Sequence, residues 1–123
     1  MTEAPRVALL VPNLFLRIPL ETAIRNAGAQ AVAVPDTAQA LAGGFAAVVL
    51  DLGAAGDDAP AAIAALVRAG AGVLAFAPHV ESEKLAAARR AGAVALARSA
   101  FLARLPELLA LVLKPGGGEG VPR

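Results

Sequence analysis

Five short apolar runs punctuate the chain, at residues 7–11, 30–34, 46–50, 72–77 and 93–97. Each is about five residues long, the common length of a strand. The runs are continuous rather than alternating, the pattern of strands covered on both faces by other elements. The first, third and fourth are the most apolar and are predicted at the sheet centre. The second and fifth carry more alanine and more polar neighbours, which suits sheet edges.

Between the runs the apolar period lengthens to that of a helix. Residues 18–27 place Leu20, Ala23, Ile24 and Ala27 on one stripe, with Pro19 in the first turn and Gly28 as the stop. Residues 37–42 follow an Asp36-Thr37 cap and precede Gly43-Gly44. Residues 59–69 follow Asp58, carry Pro60 in the first turn and stop at Gly70. Residues 83–91 follow Ser82 and stop at Gly92, and residues 103–113 carry Pro106 in their first turn. Residues 1–114 are thus predicted as one domain, and the Gly- and Pro-rich residues 115–123 as a linker-like tail. Strict strand–helix alternation implies a parallel sheet with helices on both faces. At this length the expected architecture is α/β, a flavodoxin-like (βα)5 three-layer sandwich of strand order 2-1-3-4-5. Its crevice lies at the carboxyl ends of the first, third and fourth strands.

Composition narrows the chemistry. The 123 residues carry a net charge of +1 with no basic cluster, so no nucleic-acid footprint is expected. The absence of Cys excludes disulfides, thiolate metal sites and Cys nucleophiles. With no Trp or Tyr, an aromatic stacking platform is not expected either. No apolar stretch reaches the ~20 residues of a membrane span. The N-terminus has no signal-peptide pattern, so a cytoplasmic location without membrane attachment is the expectation.

The residues after the strands are Pro12-Asn13-Leu14-Phe15-Leu16-Arg17, Asp51-Leu52-Gly53, Ala77-Pro78-His79 and Arg98-Ser99-Ala100-Phe101. Together with Val48-Val49-Leu50-Asp51, Arg90-Ala91-Gly92-Ala93 and the element order, this pattern resembles the receiver domain of two-component response regulators over roughly Arg6 to Leu113. The resemblance implies a phosphoacceptor aspartate at Asp51. It also implies an acidic Mg²⁺-binding pair after the first strand, a Ser or Thr after the fourth and a Lys after the fifth. Mg²⁺ prefers hard oxygens, and a transferring phosphoryl group needs a metal and a cation around it. In this chain the acidic pair falls on Pro12 and Asn13, the hydroxyl position on Ala77 and the lysine position on Ser99. Arg98 reaches the lysine position only by a one-residue slip, which turns its side chain to the other face. Asp51 alone matches, so Mg²⁺ is not expected, and neither is any other cofactor.

Each of these residues also has a structural reading. Asp51 is a strand-end carboxylate suited to loop N–H groups, and Asn13 a turn or cap residue. Asp57 and Asp58 read as helix caps and His79 as a solvated loop residue. Glu81, Glu83, Lys84, Arg89 and Arg90 read as a solvated helix face. Two apolar features stand apart. Leu14-Phe15-Leu16 occupies the loop where a receiver has its metal site, either plugging that site or meeting a partner. Residues 103–113 carry Leu105, Leu108, Leu109, Leu111, Val112 and Leu113, most of the way round a helix, and an ordinary surface helix needs one stripe. The excess points to an interface through Leu108, Leu109 and Val112, and to a weak homodimer on the side of the fourth strand and last helix.

Three functions fit. The first is a degenerate receiver-like protein, not an enzyme, that acts through protein contacts without aspartyl phosphorylation. The second is a response regulator phosphorylated at Asp51 with a non-standard site. The third is a small flavodoxin-like ligand-binding domain or enzyme. The third lacks its usual signatures, since no Gly-rich phosphate loop follows the first strand and the lone His has no evident nucleophile beside it.

Overall fold

A computed structural model describes residues 4–78 and 82–113. The expected tail and His79 lie outside those residues. The strands are β1 Arg6–Leu10, β2 Gln30–Ala33, β3 Ala47–Asp51, β4 Gly72–Ala77 and β5 Val94–Ala97. They form one parallel sheet in the expected order 2-1-3-4-5. The helices are α1 Leu14–Asn26, α2 Thr37–Ala42, α3 Leu52–Ala55, α4 Ala59–Arg68, α5 Ser82–Ala91 and α6 Arg98–Val112. A single 3₁₀ turn, Gly56–Asp58, joins α3 to α4.

The continuous apolar runs are explained by two cores, one on each face of the sheet. Val7, Leu9, Val49, Leu74 and Phe76 point towards α1 and α6. Ala8, Val48, Leu50, Val73 and Ala75 point towards α2, α4 and α5. Successive strand residues alternate between faces, so a strand buried on both sides needs apolar residues throughout. On the first face Phe101 of α6 lies against Phe76 of β4, with ring centroids 5.1 Å apart at 43°. At the β5 edge, the Arg89 guanidinium donates to the Ala95 carbonyl at 2.7 and 3.1 Å. Arg89 therefore covers an open sheet edge rather than only facing solvent. Gly92 ends α5 with φ +115°, and a Cβ there would stand 3.0 Å from Val67 Cγ2. Both the conformation and the space call for glycine.

Two helices begin earlier than their apolar periods suggest. Asn13 caps α1, its Oδ1 accepting from Phe15 N at 2.9 Å and Leu16 N at 3.3 Å. The helix is therefore under way at Leu14, and Pro19 lies inside it rather than in its first turn. Likewise α6 starts at Arg98, which puts Pro106 in its interior. An interior proline costs about 3 kcal/mol through the missing N–H and the ring clash. Burial offsets this, at about 1.5–3 kcal/mol for each fully buried large apolar side chain. Leu20 and Ile24 supply it in α1, and Phe101, Leu105, Leu108 and Leu109 in α6.

The expected cap at Asp58 is not made. Asp58 has helical backbone angles and no capping bond from its side chain. The 3₁₀ turn runs directly into α4, and the Ala59 N–H is taken by the Gly56 carbonyl. Asp36 does cap α2, accepting from Gln39 N at 2.9 Å.

Candidate functional site

The carboxyl ends of β1, β3, β4 and β5 bring the singled-out positions to one edge of the sheet. Asp51 closes β3 and is half-buried. It also caps α3, with Oδ1 accepting from Gly53 N at 2.9 Å. A Cβ on Gly53 would approach Asp51 Oδ1 and Pro78 Cδ to 3.2 Å each, so the loop lies close over the carboxylate. Asn13 spends its side-chain oxygen on the start of α1, as above. Pro12 is exposed and has no donor N–H, Ala77 is fully buried, and Ser99 is exposed in the first turn of α6. Arg98, the first residue of α6, is half-buried.

Among the described residues no group of three His, Cys, Asp or Glu side chains stands close enough to hold a metal ion. At the positions where the receiver pattern has metal ligands, the side-chain oxygens are those of Asp51, which accepts one backbone N–H, and Asn13, which accepts two. Mg²⁺ demands near-ideal octahedral oxygen coordination, so this donor set does not fit it. Beside these positions a pocket of about 240 Å³ opens, with Pro12, Leu50 and Ala59 in its wall and Asp36 and Asp58 on its lining.

The apolar segment after β1 does not fold over Asp51. Phe15 is 81% exposed, Leu14 59% and Ile18 54%, while Leu16 is half-buried. The segment is the first turn of α1, and helical geometry directs it outward. The apolar excess expected on the last helix is largely buried. Leu108 and Leu109 are core residues beneath α6, and Val112 packs over Gly72. They form one stripe with Phe101 and Leu105, so the outward excess shrinks to Leu111, 60% exposed. The fourth strand offers no free side, because β5 lies beyond it and α6 covers it.

Sequence reasoning passed over Arg17. It lies three residues before Leu20 and seven before Ile24, on the stripe that faces the sheet, and its Nε is buried without a hydrogen-bond partner among the described residues. A cation in phase with an apolar stripe was the available signal.

Among the comparisons, no family profile and no curated protein matches the chain. Solved structures do match. The signal receiver domain of a LuxO repressor protein from Vibrio parahaemolyticus superposes with a TM-score of 0.74 at 19% identity, covering 94% of each chain. The signal receiver domain of the response regulator NarL from Mycobacterium tuberculosis gives 0.72 at 22% identity, covering 93% of this chain and 99% of that one. The receiver domain of the sensor histidine kinase PA1611 from Pseudomonas aeruginosa gives 0.72 at 18% identity over 91% and 99%, and that structure holds a magnesium ion in its active-site cleft. The chain therefore has the receiver fold, the flavodoxin-like sandwich expected from its pattern. No helix among the described residues is long and apolar enough to cross a membrane.

Proposed function

We propose that this protein is a receiver-fold signalling module that works through protein–protein contacts without aspartyl phosphorylation. The observation that carries this reading is the state of the strand-end positions. Pro12, Ala77 and Ser99 stand where the receiver pattern has an anionic ligand, a hydroxyl and a lysine. Asn13 and Asp51 spend side-chain oxygens on capping α1 and α3. Phosphoryl transfer depends on positioned charge around the transferring group. With one carboxylate and neither metal ligands nor lysine, that stabilisation is missing. Contact is the remaining route from this fold to signalling, and the exposed apolar turn Leu14, Phe15 and Ile18 supports it.

The test is direct. The full chain is incubated with a small phosphodonor and Mg²⁺, and its intact mass is recorded over time. No adduct is expected. A stoichiometric phosphoryl adduct that disappears in Asp51→Asn would establish instead a response regulator phosphorylated at Asp51. The accessible, half-buried placement of that carboxylate is the feature that favours this second reading.

A further inference from the structure

The two edges of the sheet differ. In a parallel ladder the N–H and C=O of one residue point to the same side, and successive residues alternate sides. Gln30 N donates to the Pro5 carbonyl at 2.8 Å and Val34 N to the Leu9 carbonyl at 3.0 Å, so residues 30, 32 and 34 turn towards β1. Ala31 and Ala33 turn outward, and β2 has no strand on that side. Their outward N–H and carbonyl groups have no hydrogen-bond partner among the described residues. At the opposite edge, Ala95 of β5 gives its outward carbonyl to Arg89, and Ala97 is taken up as the N-cap of α6. Among the described residues no side chain guards β2 in this way, and residues 29–35, Ala-Gln-Ala-Val-Ala-Val-Pro, carry no charge. On the α1 side a hollow of about 540 Å³, bounded by Glu21, Arg25, Ala29 and Ala31, leaves the edge uncovered. Pro35 has the outward parity and no N–H, so it ends the open stretch.

We infer that this edge pairs two copies of the chain, β2 against β2 in antiparallel register, with Val32 facing Val32. The open groups are symmetric about Val32, so a two-fold axis normal to the sheet satisfies all of them at once. Ala31 of each copy exchanges N–H···O bonds with Ala33 of the other, and the two sheets become one. Neighbouring registers satisfy fewer groups. Centring on Ala31 sets Ala33 against Ala29, whose N–H is held by the Ile24 carbonyl, and centring on Ala33 sets Ala31 against Pro35. This match of the edge to itself names a second copy as the occupant. With one open edge per copy, pairing consumes both and association stops at two. The seam is short, so the dimer is weak and reversible. The inference gives the contact reading above a partner and rests on it only for the kind of event. Its experiment reads association, whereas the phosphoryl test reads a covalent mass, so either can fail alone.

The experiment is sedimentation equilibrium of the full chain from low micromolar concentration to about 1 mM. A monomer–dimer equilibrium is expected in that range. Ala33→Pro removes an outward N–H that both copies use, at an exposed edge position where proline is tolerated. It is expected to weaken association by about tenfold or more, with circular dichroism unchanged. Ala33→Val keeps the N–H and should leave association nearly as it was. The chain has no Cys, so Val32→Cys provides a single reporter at the axis. Facing residues of a pair without hydrogen bonds stand about 4.5 Å apart at Cα, within disulfide range, so oxidation should link the two copies. Gln30→Cys and Val34→Cys should each stay monomeric alone and link when mixed, because the register sets residue 30 against residue 34. A strict monomer throughout, with no link at residue 32, overturns the inference and leaves the edge to an extended segment of another protein. A dimer that ignores Ala33→Pro and fails to link through Val32→Cys overturns it as well, placing the interface elsewhere.

Discussion

Two phenylalanines on two helices make a matched pair of perturbations. Phe101 has no exposed surface and stacks at a tilt on Phe76, whereas Phe15 is 81% exposed on the first turn of α1. Truncation to alanine removes the same atoms from each. For Phe101→Ala the lost transfer energy and the residual cavity together cost about 3–5 kcal/mol. The lost ring pair accounts for about 0.5–1.5 kcal/mol beyond plain area burial. For Phe15→Ala almost no burial is lost, and alanine is the better helix former by a few tenths of a kcal/mol. The expected change is zero or a slight gain.

Urea unfolding at about 1 µM protein, where mass action from any dimer is negligible, separates the two. With a slope of about 1–3 kcal/mol per molar, a loss of about 4 kcal/mol moves the Phe101→Ala midpoint down by roughly 1–4 M. The Phe15→Ala midpoint should stay within a few tenths of a molar of the parent. A Phe15→Ala loss above about 1 kcal/mol would refute the reasoning, since surface substitutions fall within about 0.5 kcal/mol. It would mean that the ring covers the Asp51 crevice in solution.

Two further predictions concern packing. A Cβ on Gly72 would stand 2.8 Å from Val112 Cβ and Cγ1, so Gly72→Ala should cost about 1–3 kcal/mol; Val112→Ala in the same chain should recover part of it, and a double-mutant cycle with no coupling would refute the contact. The buried, unpartnered Arg17 Nε carries a desolvation penalty of about 1–3 kcal/mol, so Arg17→Met, which keeps the stem's packing, should raise the thermal midpoint, and a lower midpoint would mean the guanidinium is satisfied through its other nitrogens.

The strands were legible because burial on both faces leaves a short unbroken apolar run, here bounded by turn and capping residues. Val7-Ala8-Leu9 serves two cores with adjacent residues, and the sequence shows it as an unbroken apolar run. Helix starts were less legible where a cap or a proline was misread. The first helix was expected from residue 18 although its cap is Asn13, and Pro19 and Pro106 looked like first-turn markers, yet both prolines sit inside helices held down by buried neighbours. Starting the last helix at residue 103 left Phe101 off its stripe. Leu108 and Leu109 then appeared to be surplus, although with Phe101 and Leu105 they complete one core face. At the strand ends, Asp51 and Asn13 were legible as capping groups, because a parallel sheet gathers helix N-termini at its carboxyl edge and those N–H groups need acceptors. The Arg17 Nε was not legible, since its burial depends on where α1 begins.

That starting point also decides what the first turn of α1 does. With Asn13 fixing the start at Leu14, the turn of 100° per residue leaves no freedom. Once Leu20 and Ile24 face the sheet, Arg17 is carried inward with them, while Phe15, Ile18 and Thr22 are carried outward. Had the helix begun at Ile18, residues 14–17 would form a loop free to fold over Asp51. The same side-chain oxygen that occupies a position acidic in the receiver pattern therefore also holds the apolar turn out in solvent. In the proposed reading, the position that lacks a carboxylate and the turn offered for contact lie together because the Asn13 cap starts α1 at Leu14.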